Sequence, residues 1–300
     1  MTTKPNNLRI GTRRSALAKT QTNQVAAHLS KLYPELKIDI IEIVTTGDKV
    51  LNTALNQMPG KGVFVKEIEE KLLAGDIDMA VHSMKDLPTE FPEGLKIGAV
   101  TTRVDPRDVF VSRLGLTLGE MPAGARIGTS SLRRQAQLLK FRDDLEIVDI
   151  RGNIDTRLRK SESDPYDGIV LAAAGLIRMG WQERIHEYIS CDVMIPAVGQ
   201  GAVGIEIREH DKDTADLIAP LNDVATELSV KAERIFLDGM GGGCHAPMGA
   251  YCNNKNGHVV LKAFKAEADG SQFQRAELQG QLSEAAGLAH RIVETFQHRL

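Results

Sequence analysis

One cysteine of the chain lies in a setting that suits covalent chemistry. Cys244 follows three glycines in the run GGGCHAPMG, residues 241–249. Glycine lacks a side chain and readily adopts positive φ, so a bulky group could approach this sulfur on a tight, open loop. A zinc site with His245 and Cys252 lacks paired ligand spacing and a fourth ligand, and we expect no metal. Two interpretations remain at this point: a covalent attachment point or nucleophile, and the buried, inert thiol that most free cysteines are.

Arginines recur where predicted strands run into helices. Guanidinium groups bind carboxylates or phosphates through paired hydrogen bonds, and helix N-termini add N–H donors. A solvated helix face is the alternative for any single arginine, but repeated placement at matched turns favours a site for a polyanion. We expect these arginines to be exposed, so that Arg134 and Arg151 can be replaced by leucine without unfolding the chain. The side chains expected to bind anionic groups at these turns are Arg13, Ser15, Thr129, Ser130, Ser131, Arg133, Arg134, Arg151, Arg157 and Arg178.

Two further cationic side chains and one carboxylate belong to the same predicted site. Lys85 and Asp86 directly follow the predicted strand DIDMAVHS. A surface ion pair is the ordinary interpretation of such neighbours and is worth little. Among cations, however, an ionised carboxylate can stabilise a developing positive charge, which makes Asp86 the candidate catalytic group. His82 is predicted to be a packed or hydrogen-bonded strand residue, and Lys61 lies in a glycine-rich segment that is expected to form a lid.

An internal repeat indicates which elements position these residues. The tetrad RIGT occurs at Arg9–Thr12 and again at Arg126–Thr129, each time before a polar turn and an amphipathic helix. The repeat predicts two βαβαβ lobes, each with a parallel sheet covered on both faces, and a ligand in the cleft beyond the carboxyl ends of the strands. The matching segments are 8–28 with 125–138, 37–48 with 145–153, and 76–86 with 166–176.

Two crossings between the lobes are predicted at 95–113 and 195–209, and a pair of crossings can act as a hinge. Gly199, Gly201 and Gly204 satisfy the pattern G-x-G-x-x-G. The residues after Gly201 predict a strand, whereas a dinucleotide site needs a helix there, so we reject that interpretation.

The chain changes character near residue 218. A helix, the cysteine loop, three antiparallel strands with a turn at NKNG, and a closing helix predict a small α+β domain. The predicted domains are lobe 1 at residues 1–103 and 197–217, lobe 2 at 104–196, and a C-terminal domain at 218–300.

Composition excludes several classes of function. The 300 residues are 42% hydrophobic and 4% aromatic, with no apolar stretch long enough to span a bilayer. A net charge of −3 gives no positive field for nucleic acid. Three cysteines make no disulfide framework and the first residues form no apolar signal segment, so we expect the cytoplasm. No hydrophobic stripe is left over, and we expect a monomer.

Seven motifs in order give the chain a close resemblance to the porphobilinogen deaminase family, also called hydroxymethylbilane synthases. The resemblance covers nearly the whole length, and the cysteine motif is its most specific part. The motifs are GTRRS (11–15), HSMKDLP (82–88), GTSSLRRQAQL (128–138), RGN (151–153), LAAAGLIRMG (171–180), PAVGQGA (196–202) and GGGCHAPMGA (241–250).

The resemblance implies an α/β fold of two duplicated lobes similar to type II periplasmic-binding-protein domains, with a small α+β C-terminal domain. It implies a transferase of tetrapyrrole, porphyrin and haem biosynthesis. Such an enzyme condenses four porphobilinogen molecules into linear hydroxymethylbilane, releases ammonia at each step and passes its product to a downstream tetrapyrrole enzyme. It also implies a dipyrromethane cofactor in thioether linkage to Cys244 and a role for Asp86 in every step.

The residues agree with that chemistry, because linked pyrroles carry acetate and propionate groups and form a polyanion suited to an arginine-lined cleft. Loss of ammonia leaves an electron-poor azafulvene, whose positive charge a carboxylate would stabilise. Two positions depart from the family pattern. Gln57 stands where a second lysine is common, and Asp155 lies between Arg151 and Arg157, where it could partly neutralise that cluster.

Two other functions fit parts of the sequence. A non-catalytic, two-lobed binder of a small polyanion would share the duplicated lobes but would need neither Cys244 nor the C-terminal domain. An RNA-binding protein could use the arginines, but the acidic net charge and few aromatic residues disfavour it.

Overall fold

A computed structural model describes residues 7–49, 65–242, 246–267 and 269–298 of the chain. The chain forms two compact units, of which unit 1 comprises Met1–Arg103 and Ala202–Glu227, and unit 2 comprises Val104–Gly201 and Leu228–Leu300. The first two passages between the units therefore fall inside the two predicted crossings. The division into three domains stays a prediction.

Unit 1 contains a five-stranded sheet in the order β2-β1-β3-β10-β4. β1 pairs in parallel with both β2 and β3, and β10 runs antiparallel to β3 and β4. Its elements are β1 (Asn7–Arg13), α1 (Ala16–Leu32), β2 (Lys37–Ile43), α2 (Thr46–Lys49), α3 (Lys66–Leu73), β3 (Met79–Ser83), β4 (Leu95–Val100), β10 (Val203–Arg208) and α7 (Lys212–Ile218).

Unit 2 contains a second five-stranded sheet, in the order β7-β6-β8-β5-β9. β6 pairs in parallel with β7 and β8, and β5 runs antiparallel to β8 and β9. The elements of this part are β5 (Asp108–Ser112), β6 (Arg126–Gly128), α4 (Leu132–Phe141), β7 (Glu146–Val148), α5 (Ile154–Lys160), β8 (Gly168–Ala172), α6 (Ala173–Met179) and β9 (Glu187–Tyr188).

The two sheets confirm the predicted duplication and correct it in one respect. Each places its second, first and third strands side by side in parallel, as the repeat predicts. The expectation of wholly parallel sheets is wrong, because the next strand is antiparallel in both: β10 in unit 1 and β5 in unit 2. Both of these strands follow directly on a crossing, so the chain enters the sheet from its opposite end.

The repeated RIGT tetrad has a structural basis in both sheets. A Cβ atom on Gly11 would lie 2.4 Å from Cδ1 of Ile77, and one on Gly128 would lie 2.8 Å from Cγ2 of Ile169. Both distances are shorter than any ordinary carbon contact, so each first strand requires glycine at this position.

The arginine of each tetrad is bound to an aspartate near the third strand. Arg9 donates from its backbone N–H and its guanidinium to Asp78, and the backbone N–H of Asp78 donates in return to Arg9. Arg126 and Asp167 exchange the same two backbone bonds in unit 2, with distances of 2.9 Å. The duplication thus extends to individual hydrogen bonds.

The C-terminal part of unit 2 is the predicted α+β structure. Its strands form an antiparallel sheet in the order β11-β12-β13. Asn256 and Gly257, with φ of 54° and 86°, make the two-residue turn of the predicted hairpin. Phe236 and Phe296 meet edge to face in its core at a centroid distance of 5.8 Å. The elements are α8 (Val224–Gly239), which begins in unit 1, β11 (Met248–Lys255), β12 (His258–Lys265), β13 (Gln274–Gln281) and α9 (Ala285–Gln297).

Apolar side chains at helical spacing hold α1 on the first sheet. Val25, Ala26 and Leu29 are buried together with Leu8 and Ile10 of β1. None of the helices in the described ranges is long and apolar enough to cross a membrane.

Candidate active site

The candidate catalytic carboxylate stands on a short turn at the end of β3. A single 3₁₀ turn, Met84–Asp86, follows the strand, and the buried Met84 donates its backbone N–H to the carbonyl of Ala202 at 3.0 Å. Lys85 and Asp86 are half-buried. Because β1 and β3 are parallel, this turn lies at the same sheet edge as Arg13, the last residue of β1, as predicted. The Asp86 carboxylate makes no hydrogen bond or ion pair with another described residue.

Arg13 and Ser15 are engaged locally. Nη2 of Arg13 lies 2.6 Å from Oδ1 of Asp48. Burial alone would raise the pKa of Asp48, but hydrogen bonds and charge from Arg13, with bonds from Thr45, hold that pKa below its usual value. The Ser15 hydroxyl accepts the backbone N–H of Ala18 and caps α1. No sequence pattern signals the pairing of Arg13 with Asp48, which lies in a helix 35 residues further along the chain.

His82 fits its predicted role. Its Nε2 atom lies 2.9 Å from Oε2 of Glu206 on the neighbouring strand β10, and both side chains are buried. The histidine is therefore a hydrogen-bonded strand residue, as the sequence predicts.

The hydroxyl groups of the turn between β6 and α4 organise that turn. Thr129 Oγ1 accepts the N–H of Ser131 at 3.2 Å, and Ser130 donates to the carbonyl of Ile150. The Ser131 hydroxyl accepts the N–H of Arg134 at 3.4 Å and caps α4, as Ser15 caps α1. The matched turns therefore share their capping as well as their sequence.

The structure corrects the expected exposure of Arg133 and Arg134. Both are buried against Asp108 of β5, which is fully shielded from solvent. Arg134 contacts Oδ1 through Nη2 at 2.7 Å and Nε at 3.1 Å, while Nη1 of Arg133 lies 2.7 Å from Oδ2. Burial alone would raise the pKa of Asp108, but the two guanidiniums hold it far below its usual range. The expectation failed because the sequence displays the arginines but not the distant carboxylate that pairs with them.

Arg151 and Arg157 surround a more exposed carboxylate. Nε of Arg151 lies 2.6 Å from Asp149, with the two side chains 28% and 54% exposed. Nε of Arg157 donates to the carbonyl of Gly152 at 2.7 Å. Burial tends to raise the pKa of Asp149, but bonds from Ser130 and Arg151 and the charge of Arg157 leave it lowered. Asp149 is thus the carboxylate that partly neutralises this cluster, whereas the exposed Asp155 pairs with no described cation.

Arg178 on α6 differs from the other arginines of the predicted set. Its Nη2 donates to the carbonyl of Gly201 at 2.8 Å, and within the ranges that the structure describes no carboxylate pairs with it. Burial lowers the pKa of this guanidinium to about 10. A half-buried cation without an acidic partner has lost part of its hydration without gaining an ion pair. An anionic ligand group would supply that pair.

The glycines of the second crossing behave as predicted. Gly199 and Gly201 have φ of 70° and 91°, and the chain continues from them into β10 rather than a helix. The dinucleotide pattern is therefore a coincidence of spacing.

Cys244, Lys61 and Gln57 lie outside the described residues. On either side of the cysteine motif, α8 ends at Gly239 and β11 begins at Met248. A Cβ atom on Gly242 would lie 2.3 Å from the sulfur of Met248, so a larger residue at this position would force the Met248 side chain to move.

The other two cysteines are poor candidates for chemistry. Burial raises the pKa of the Cys191 thiol to about 11, with nearby carboxylates adding to the effect. Cys252 is buried within β11. Cys191 therefore lacks the low pKa of a reactive cysteine, and Cys252 lacks its open setting.

Comparison with known proteins assigns this duplicated α/β fold with its α+β C-terminal part to a family. A family model described as the dipyrromethane-cofactor-binding domain of porphobilinogen deaminase matches residues 8–216, and the model of its C-terminal domain matches residues 227–298. Porphobilinogen deaminase of Geobacillus kaustophilus is 53% identical over 94% of this chain and 91% of its own length. That of Syntrophobacter fumaroxidans is 48% identical over 93% and 90%. Among solved structures, the methionine binding protein MetQ matches with a TM-score of 0.42 at 15% identity, over 75% of this chain and 91% of that one.

The chain belongs to the porphobilinogen deaminase family. Members of this family are hydroxymethylbilane synthases, transferases of tetrapyrrole biosynthesis that use a dipyrromethane cofactor. The predicted fold class, enzyme class, activity and cofactor are confirmed, and the enzyme is favoured over the non-catalytic binder.

Proposed function

We propose that Asp86 is the catalytic carboxylate of this chain, that Cys244 carries its cofactor, and that Arg178 with Arg151 and Arg157 binds ligand carboxylates. The observation that supports the proposal most strongly is the environment of the Arg178 guanidinium. This group is half-buried, pairs with no described carboxylate and has a pKa that burial lowers. A carboxylate of the substrate or cofactor would raise the pKa of Arg178 back toward its usual value and offset the desolvation of the guanidinium.

The residues fit a dipyrromethane group. Linked pyrroles carry an acetate and a propionate on each ring, and the described chain offers guanidiniums whose own partners leave donors over. Arg151 uses Nε on Asp149, so its terminal nitrogens can serve a ligand, and Arg157 donates from Nε to the carbonyl of Gly152. When bound, the cofactor supplies the pyrrole carbon to which the first substrate is joined.

The position of Asp86 suits it to transfer protons and to stabilise positive charge. It is half-buried on a turn fixed by the backbone bond of Met84, and no described cation holds its carboxylate. It can therefore accept a proton from a pyrrole N–H and stabilise the positive charge that develops on the substrate as ammonia departs. Lys85 and Lys61 are proposed to add positive charge for ligand carboxylates.

The remaining members of the predicted set have supporting roles in this proposal. Arg133 and Arg134 are committed to Asp108, and Ser131 and Ser15 to helix caps. Thr129 and Ser130 make hydrogen bonds within the β6–α4 turn. Any contact of these residues with ligand would use groups that are not engaged in those bonds. Arg13 is paired with Asp48, with an Nη2–Oδ1 distance of 2.6 Å.

Four finer points complete the proposal. The chain acts as a monomer in the cytoplasm, its substrate is porphobilinogen, and its product passes to a downstream tetrapyrrole enzyme.

The test of carboxylate binding is the loading of cofactor-free protein with preformed hydroxymethylbilane, followed by intact mass. Arg178→Gln should load about ten- to hundredfold more slowly, since a lost charge-assisted hydrogen bond costs about 1.5–3 kcal/mol. Arg184→Gln is the matched control, because Arg184 is an arginine with its own carboxylate partner, Glu162. Equal loading of both variants and the parent protein would remove Arg178 from the binding site.

A further inference from the structure

A buried group of titratable side chains lies beside the strand that carries the catalytic turn. His82 of β3 contacts Glu206 of β10 with an Nε2–Oε2 distance of 2.9 Å, and their side chains are 3% and 0% exposed. In the antiparallel register His82 is opposite Gly204 and Ala80 is opposite Glu206, so both side chains are on one face of the sheet.

Helix α3 brings a second carboxylate to this face. Glu69 is 7% exposed, on a helix that packs against β3, β4 and β10. Oε1 of Glu69 and Oε1 of Glu206 are both buried without a hydrogen-bond partner in the described chain. Two buried carboxylates whose oxygens lack hydrogen-bond donors destabilise the folded protein unless they share a proton.

The balance of charge around Glu69 is negative. Burial raises the pKa of Glu69 to about 7, the charge of Glu206 adds to the rise, and His82 opposes it. Arg208 of β10 does not neutralise Glu69, because it binds the carbonyls of Leu72 and Ile77 and the carboxylate of Asp211. The other charged side chains of the packed elements are the exposed Lys66, Glu70, Lys71 and Lys96, and Glu67, which accepts from Thr46.

We propose that the buried Glu69 shares a proton with Glu206, and that the cluster of Glu69, Glu206 and His82 positions the Lys85–Asp86 turn for the family's reaction. The proposal rests on the proposed role of Asp86. A protonated Glu69 can donate to the unmatched oxygen of Glu206 and leaves Glu206 as the acceptor for His82. That hydrogen bonding would hold α3 on strands β3 and β10. The catalytic turn follows β3 directly, and Asp86 is four residues after His82.

Loss of the Glu69 proton should lower the stability of the folded protein. The folded protein keeps Glu69 protonated above the ordinary glutamate pKa of 4.5, whereas the unfolded chain does not. The folded state therefore binds more protons between about pH 4.5 and 7, and its stability falls as pH rises through that window. Above it, two ionised carboxylates repel each other beneath α3.

The experiment uses the holoenzyme and the variant Glu69→Gln, which has the shape of the protonated acid. Glu70→Gln is the matched control on the same helix, at an exposed position. Unfolding midpoints, kcat and KM are measured from about pH 5 to pH 8. The midpoint of wild type and Glu70→Gln should fall by at least about 3 °C more over this range than that of Glu69→Gln. The alkaline loss of kcat should likewise be smaller in Glu69→Gln, with KM little changed.

Glu206→Gln supplies the second arm. It removes the charge that fixes His82, so kcat should fall about ten- to hundredfold as the turn shifts, with little change in KM. The proposal is overturned if Glu69→Gln fails to fold or if its midpoint follows the wild-type slope. It is also overturned if the slope flattens while the pH profile of kcat is unchanged, since the cluster would then serve stability alone. Failure of Asp86 as the catalytic group would leave the midpoint results intact, so the two proposals fail separately.

Discussion

The carboxylate of Asp108 lies 2.7 Å from Nη2 of Arg134, and both side chains are almost completely buried. The same carboxylate contacts Arg133 and accepts from Nε2 of Gln200, which also donates to the carbonyl of Pro106. Asp108 therefore ties the first turn of α4 to β5 and to both crossing segments. Two buried guanidiniums share one carboxylate, so loss of Asp108 would leave two buried cations unpaired, and loss of Arg134 would remove two hydrogen bonds to Oδ1.

This relationship reverses the expectation for Arg134→Leu. The substitution should destabilise the protein by about 1.5–3 kcal/mol, because Asp108 loses charge-assisted hydrogen bonds from a buried guanidinium, although Arg133 still balances its charge. Arg151→Leu should cost less than about 1 kcal/mol, because the Arg151–Asp149 pair is exposed. Urea unfolding of both variants beside wild type measures the difference. Similar midpoints for the two variants would show that the Asp108 cluster does not stabilise the fold.

Arg151→Leu should instead show a functional defect. Its fold should be intact, whereas loss of a ligand-facing guanidinium should cost about 1.5–3 kcal/mol in the holding of substrate or intermediate carboxylates. Protein incubated with porphobilinogen should then accumulate partly extended chains, visible as discrete species by intact mass. Wild-type steady-state kinetics in this variant would exclude Arg151 from the anion site.

Sequence patterns predicted the parts of the fold that local signals determine. The RIGT repeats, the capping serines Ser15 and Ser131 and the Asn256-Gly257 turn each specify structure within a few residues. The antiparallel β5 and β10 could not be predicted in the same way, because a strand's direction in the sheet depends on where the chain crosses. The expectation that Arg133 and Arg134 are exposed failed because their partner is distant in the sequence. Asp108 precedes Arg134 by 26 residues. The joint burial of Glu69 and Glu206 has no periodic signal in the sequence either.

The cofactor should be attached to Cys244 alone. Native protein should be heavier than its sequence by two linked pyrrole units, and Cys244→Ser should have the bare sequence mass. Cys191→Ser and Cys252→Ser are the controls and should retain the adduct, because one thiol has a pKa raised to about 11 and the other is buried within β11. An adduct mapped to either control position would contradict the assignment.

Arg178→Met should have opposite effects with and without cofactor. In a Cys244→Ser background, which lacks the cofactor, the substitution removes a half-buried charge that pairs with no described carboxylate, so the unfolding midpoint should stay or rise. In the holoenzyme the same substitution removes a carboxylate partner, so the midpoint should fall. Scanning calorimetry of the four proteins tests this sign change. A fall of equal size in both backgrounds would identify Arg178 as a purely structural residue.

Asp86→Asn tests the catalytic assignment most directly. It preserves size and most hydrogen bonding but removes the negative charge, so turnover should fall by at least about a hundredfold. Folding should be retained, because the half-buried carboxylate pairs with no described residue. Since the cofactor is assembled by the same chemistry, the variant should first be loaded with preformed hydroxymethylbilane, with loading confirmed by intact mass. Glu93→Gln, at an exposed position seven residues on, is the control and should turn over normally. If loaded Asp86→Asn released ammonia from porphobilinogen at a near-native rate, the carboxylate would not be the catalytic group, and Lys85 and His82 would be the next residues to replace.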